Sequence, residues 1–421
     1  MTPTTLRLSC DADLVGAVPH LFGFVPEESL SLLTVPMPPG PPGVGPAARL
    51  ELTEAGGPGG QPYVAGVISR FARDRFGIYA AVVHTDLPLR DACESPVVLT
   101  AVRRVRELDD PRVGAWVVAR DGWQRLPGHA PFEDRSGPRP LDELGHARAV
   151  TELVLTGSAP VAGRADLGIA REPDSATGSL LLDALADRMQ RRLPGVVLTV
   201  RAYDELVTRR LRPDQGLSGR DRELLARLLL GLERPGVRDA VLTRVLVGTG
   251  MPVELLTEPE LVGQLWTGGP IEAADRRRPL EVLARFAPSG VVAPTSALLA
   301  LLAWRRGEGA RAAVLAELAL EDRPEYSLAR LVLEVQASGA IPPAARQDAL
   351  EDDADDWFGP SPFLDEPGGH PDLDDLSDIE EDGPDGSWWL GGPPTDDRCL
   401  QMYTEELIDE IERGDGRSGT T

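Results

Sequence analysis

The chain has 421 residues, a formal net charge of −24 and 43 basic residues, every one of them arginine. That length sets a prior of two to three domains. The absence of lysine removes Schiff-base chemistry and the lysine of a phosphate-cradling P-loop, and the net negative field disfavours a role clamped on nucleic acid or an anionic membrane.

The charge is unevenly spread. Residues 346–421 hold 24 acidic residues against four arginines, which leaves residues 1–345 nearly balanced. The three cysteines, Cys10, Cys93 and Cys399, are far apart and odd in number, so neither a disulfide framework nor a zinc site is indicated. The opening MTPTTLRLSCDADL lacks the basic start and apolar core of a signal peptide. SALLALLAW (296–304) is too short to span a bilayer. A cytoplasmic protein in a reducing compartment is expected.

In chain order, LRL (6–8) reads as a short strand. Ser9 then reads as the N-cap of a helix carrying Asp11 and Asp13 in its first turn and stopped by Pro19. SLSLLTV (29–35) reads as a strand, PMPPGPPGVGP (36–46) as a surface loop and ARLEL (48–52) as the hairpin partner. GGPGGQP (56–62) reads as a loop and YVAGVISRFARDR (63–75) as a helix. GIYAAVVH (77–84) is nearly all apolar, as in a strand covered on both faces. Val98, Val102, Val105 and Leu108 form one helical stripe. GAWVVARDGWQRL (114–126) reads as two strands about an Asp121-Gly122 turn. Residues 1–160 therefore predict an α/β domain with a mixed, partly parallel sheet.

From 175 to 345 the pattern is purely helical, with about eight helices, one of them opened by Ser218-Gly219-Arg220-Asp221. Ala312, Ala316, Ala319 and Pro324 stand at the spacing of the second helix of a tetratricopeptide unit. One such unit is a TPR-like helical hairpin inside a bundle, not a solenoid. Residues 346–421 are acidic, rich in proline and glycine and poor in periodicity, and predict a disordered acidic tail. Trp388-Trp389 and the amphipathic patch of Tyr403, Leu407, Ile408 and Ile411 stand out there as candidate partner-docking groups.

The densest candidate site is VPHLFGFVPEESL (18–30) with the acids before it. Asp13, His20, Glu28 and Ser29 would supply a serine-histidine-acid set if they converged. The competing reading is a structural corner. Dipole compensation accounts for Asp11 and Asp13, a tight turn for Pro26-Glu27, and Ser29 lies outside any GxSxG elbow. His84 closes the buried strand, where α/β proteins place ligands. The histidine and cysteine spacings match no metal motif, and no cofactor is indicated. Gly307-Glu308-Gly309-Ala310-Arg311-Ala312 fits GxGxxA but lies between helices, where it is a turn. Arg209, Arg210, Arg212, Arg220, Arg222 and Arg227, with Arg276–Arg278, are interleaved with acids, as on solvated helix faces.

The stretch LRLSCDADLVGAVPHLFGFVPEESLSLLTV (6–35) is similar to the opening of the bacterial domain-of-unknown-function family 4192. Residues 217–242 and 297–343 resemble its middle and C-terminal blocks. Asp13, Leu14, Pro19, Gly23, Phe24, Pro26, Ser29 and Leu30 match the family pattern. His20 stands where the family usually has an aromatic, and Val25 where it often has histidine. The resemblance excludes the acidic tail and implies no defined activity. The leading expectation is a cytoplasmic, non-catalytic ligand- or protein-binding protein, with the ligand held by Asp13, His20, Glu28, Ser29 and His84. A protein partner would engage the helical domain or the tail. The alternatives are a hydrolase-type enzyme using Asp13, His20, Glu28 and Ser29, and a nucleic-acid-associated protein using the arginine-rich helices.

Overall fold

A computed structural model describes residues 8–37, 45–111, 113–128, 137–173, 175–187, 194–211, 217–258, 274–338, 340 and 342. Part of the 36–46 loop, most of LRL, Arg212, Trp388, Trp389, Tyr403, Leu407, Ile408 and Ile411 lie outside the described residues. So does the whole acidic stretch from 346.

The chain opens with helix α1 (Asp11–Phe22). Ser9 is not its cap. Cys10 occupies that position, and the Ser9 N–H and hydroxyl both donate to Asp13 Oδ2, at 3.0 and 2.6 Å. The capping therefore runs backwards from the first turn, carboxylate to preceding residue. Nor does Pro19 stop the helix. A proline removes a single hydrogen bond near a helix end, and α1 continues to Phe22. It ends where Gly23 takes the left-handed conformation (φ 78°) and donates to the Pro19 carbonyl at 2.8 Å.

Strands β1 (Ser29–Pro36) and β2 (Ala47–Glu51) form the expected hairpin. Helices α2 (Leu52–Gly56) and α3 (Gly60–Arg73) follow, so the loop at GGPGGQP is confined to residues 57–59. Then come β3 (Phe76–His84), α4 (Leu89–Glu94), α5 (Pro96–Leu108), β4 (Gly114–Ala119) and β5 (Gly122–Arg125). Gly122 already pairs with Ala119, so the β4–β5 turn is centred on Arg120-Asp121.

The five strands make one sheet in the order β2-β1-β3-β4-β5. Only β3 and β4 run parallel; the other pairs are antiparallel. One face is covered by α2–α5 through Leu52, Val64, Ile68, Ala92, Val98 and Val102. The other is covered by α1 and by the short helices α6 (Asp142–Gly145) and α7 (Arg148–Leu155). Leu14, Val15 and Val18 of α1 pack on Leu33, Ala80, Val82, Trp116 and Trp123, each burial contributing about 1.5–3 kcal/mol. Gly16 permits the close approach of α1 to α6 and α7, because a Cβ there would stand 2.9 Å from the Leu144 carbonyl oxygen and 2.8 Å from Val150 Cγ2.

Eight further α-helices follow among the described residues. They are α8 (Ala176–Asp187), α9 (Val196–Thr208), α10 (Gly219–Leu232), α11 (Pro235–Val247), α12 (Ala274–Phe286), α13 (Ala293–Arg305), α14 (Gly309–Asp322) and α15 (Ser327–Ser338). They share one aliphatic core. Ser218 caps α10, its hydroxyl accepting from the Asp221 N–H while Asp221 Oδ2 accepts from the Ser218 N–H. Gly307 (φ 80°) turns the chain between α13 and α14, and Ala312, Ala316 and Ala319 are fully buried in α14. The segment after α7 ties the layers to the bundle. A 3₁₀ turn (Arg164–Leu167) places Arg164 against Glu317 of α14, with both guanidinium nitrogens bonded at 2.9 and 2.6 Å.

Candidate functional site

The structure separates most of the residues that the sequence singled out. Asp13 is buried and spent on structure, with Oδ1 accepting from the Ala149 N–H at 3.0 Å and Oδ2 from Ser9. Burial pushes its carboxyl up, but the hydrogen bonds from Ala149 and Ser9 outweigh that and leave it below the ordinary value. His20, in the last turn of α1, lies with Nδ1 2.9 Å from the Ser158 hydroxyl, and burial lowers its pKa. Glu28 adopts a positive φ of 37°. Its Oε1 accepts from the Thr85 hydroxyl and the Asp86 N–H, both at 2.7 Å. It therefore pins the exit of β3 to the entry of β1. These three acid and base groups do not converge, and the serine-histidine-acid set is not assembled.

Ser29 and His84 do come together. They are directly opposed across the β1–β3 ladder. Alternate strand positions share a face, and Leu33, Ala80, Val82 and Trp116 all pack against α1. By that parity Ser29, Ser31 and His84 lie on the α1 face. Two rows cross the sheet there. One runs Arg49, Ser31, Val82, Trp116, Arg125; the other runs Glu51, Ser29, His84, Val118, Trp123. The sheet thus carries a polar strip inside an otherwise apolar layer.

The middle of the strip is sealed, and five of the strip's polar atoms are unspent. Ser29, Ser31 and Trp116 are 0% exposed and His84 is 5% exposed. Ser29 Oγ, Ser31 Oγ, His84 Nδ1, Trp116 Nε1 and Arg49 Nε are buried with no hydrogen-bond partner among the described residues. Burial first, and the nearby Arg49 charge second, push His84 down to about 4, so its ring is neutral at physiological pH. At the β2 end Arg49 bonds Glu51 through Nη1 at 2.6 Å and the Glu27 carbonyl through Nη2 at 3.1 Å. Its guanidinium also lies 5.9 Å from the centroid of the buried Phe24 ring. At the β5 end Arg125 stands 3.5 Å from Asp11 of α1.

The stretch 18–30 is therefore a corner that builds the edge of this strip. Gly23 ends α1, and Phe24 makes an isolated parallel bridge with Val161. Val25 donates to the Val161 carbonyl at 3.0 Å, and Glu28 locks the entry to β1. Ser31, Arg49 and Trp116 were not picked out from the sequence. The period-two spacing of Ser29 and Ser31 was the available signal, since it puts both hydroxyls on one face of a buried strand.

Elsewhere, an open groove of about 520 Å³ lies on the opposite side of the sheet, between α5 and the end of β5, lined in part by Leu99, Val102, Arg106 and Leu126. The arginine-rich helix faces are charge-paired, Arg209 with Asp221, Arg220 with Glu205 and Arg227 with Glu223. Among the described residues no group of three or more His, Cys, Asp or Glu is placed to hold a metal, and no helix is long and apolar enough to cross a membrane.

A family model described as a domain of unknown function, DUF4192, matches residues 12–343. The chain belongs to the DUF4192 family. The match runs from α1 past α15, taking in both the sheet and the helical bundle, and stops short of the acidic stretch. No curated protein and no solved structure matches the chain. At the two places where the opening departs from the DUF4192 pattern, His20 is half-buried against Ser158 and Val25 is exposed.

Proposed function

We propose that this DUF4192 chain is a non-catalytic binding protein that holds a small polar ligand on the α1 face of its sheet. The observation that carries the reading is the set of five buried, unpartnered polar atoms on neighbouring positions of that face. Leaving a buried donor or acceptor unsatisfied costs about 1–3 kcal/mol, and a ligand with complementary groups would recover that cost. Catalysis fits poorly. Ser29 is sealed, His84 Nδ1 has no carboxylate to orient it, and Asp13, His20 and Glu28 are engaged elsewhere. A nucleophile needs a base held by a third group.

A thermal-shift screen of small polar metabolites on the full chain tests this, with Ser31→Ala as the matched variant. The expected result is a saturable rise in melting temperature for at least one compound, absent in Ser31→Ala. No shift with any compound sinks the reading. Turnover of a simple ester or amide that disappears in Ser29→Ala would replace it with an enzyme.

A further inference from the structure

We propose that the open groove between α5 and the end of β5 is a docking site for the chain's own acidic segment 401–414. The groove lies on the opposite side of the sheet from the polar strip, so the inference goes beyond the ligand reading and stands apart from it.

The groove joins apolar surface to unmatched positive charge. Val102 and Leu126 are buried in its wall, while Leu99 is 43% exposed and Pro127 is exposed. Leu99 follows Val98 by one residue, so it sits off the stripe of Val98, Val102 and Val105 that α5 buries. Its apolar surface belongs to the groove and not to the core. Two arginines and one acid, Glu107, share the lining. Arg106 donates through Nε to the Val113 carbonyl at 3.1 Å and through Nη1 to the Pro127 carbonyl at 2.7 Å. Both acceptors are neutral, and Nη2 has no hydrogen-bond partner among the described residues. Arg103 stands 3.6 Å from Glu107, and both side chains are more than half exposed. A pair of that kind is weak and readily exchanged. The groove therefore suits an occupant with an apolar face edged by carboxylates, since a carboxylate makes the strongest partner for a guanidinium.

The chain carries such a segment. At helical spacing Tyr403, Leu407, Ile408 and Ile411 fall on one stripe, with Glu410 and Glu412 along its two edges. Residues 401–414 hold five acids against Arg413. This is the pattern of an amphipathic segment laid in a groove. Trp388-Trp389 lacks it, because adjacent residues do not share a helical face and no charge flanks them within three residues except Asp385. The arginine-rich faces of the bundle offer the segment less, since Arg209, Arg220 and Arg227 are already matched by acids. Length permits the contact. Tyr403 stands 61 positions after Pro342, the last described residue, a span of roughly 200 Å when extended. A tether also supplies a local concentration on the order of a millimolar, so a contact of modest affinity is filled without a second molecule.

The test is hydrogen–deuterium exchange of the full chain, read on peptides covering 401–414. These amides are expected to exchange at least tenfold more slowly than in a synthetic peptide of the same segment. Leu99→Asp in the groove and Leu407→Asp in the segment should each return the segment to the free rate. Arg103→Glu, at an exposed position, is expected to remove at least threefold of the slowing and keeps the result readable if Leu99→Asp does not fold. Exchange at the free rate in the native chain would overturn the proposal. Slowing that survives both groove variants would place the segment elsewhere and overturn the groove. Slowing that grows with protein concentration would make a second copy the occupant and overturn docking within one chain.

Discussion

His84 shows how one residue couples the site to stability. Its folded pKa of about 4 lies below the ordinary 6.5. Between those values the unfolded chain binds more protons than the folded one, so stability rises with pH across that window. Going down from pH 6.5 to 4, the His84 contribution is lost, at roughly 3 kcal/mol. His20, also lowered by burial, adds a slope of the same sign. Asp13, held below its ordinary value, weakens the fold only at still lower pH. Urea unfolding at a series of pH values should therefore show a steep dependence in the native chain and a flatter one in His84→Gln. Equal slopes would mean that His84 is not buried neutral. Ser29 and His84 were legible in the sequence as polar residues at the ends of buried strands. Their pairing was not, because it depends on which residue of β1 faces which residue of β3, and a one-residue slip moves every side chain to the other face. Asp13 and Glu28 looked like catalytic acids because nothing in the sequence reveals that Ala149, Thr85 and Asp86 already hold them.

At the scale of elements, pattern and chemistry agreed where the pattern was strong. The alternation in β1 and β2, the apolar run of β3, the stripe of α5 and the capping signature of α10 all mark their elements. The Ser218–Asp221 box is a measurable part of that agreement. Ser218→Ala should cost about 1 kcal/mol in chemical unfolding, since the Asp221 N–H loses its acceptor. A change below a few tenths would show that Arg209, bonded to Asp221 at 2.5 Å, holds the first turn without the cap. The misses sit at element ends. Pro19 reads as a stop, yet near the end of a helix only one backbone bond is lost and Gly23 makes the better terminator. Ser9 reads as a cap, yet the carboxylate of Asp13 is the stronger acceptor and draws both Ser9 donors to itself. The glycine-rich segment before α3 reads as loop through Pro62, yet α3 starts at Gly60.

For the whole molecule, the mixed sheet followed by a helical bundle was readable because strand and helix periods alternate as far as β5 and only helical periods follow among the described residues. What was not readable is how the ends meet. The layer that covers the polar strip is built from α1 at the start of the chain and from α7 much later, with Ala149 donating to Asp13 across 136 residues. During synthesis at about 5–20 residues per second, α1 would wait on the order of ten seconds for α7, and the completed strip roughly a few seconds. A ribosome-attached chain in which residue 125 is followed by an unrelated linker long enough to clear the exit tunnel would have all five strands outside but neither α6 nor α7. Such a nascent chain is expected to bind a hydrophobic dye and a chaperone strongly, and one extended past α7 into the helices far less. Equal binding would mean that α1 seats without α7. The stretch of chain between β5 and α7 thus becomes a time during which the face that would hold a ligand is complete but open, and a ligand present then would meet its site before the protein is finished.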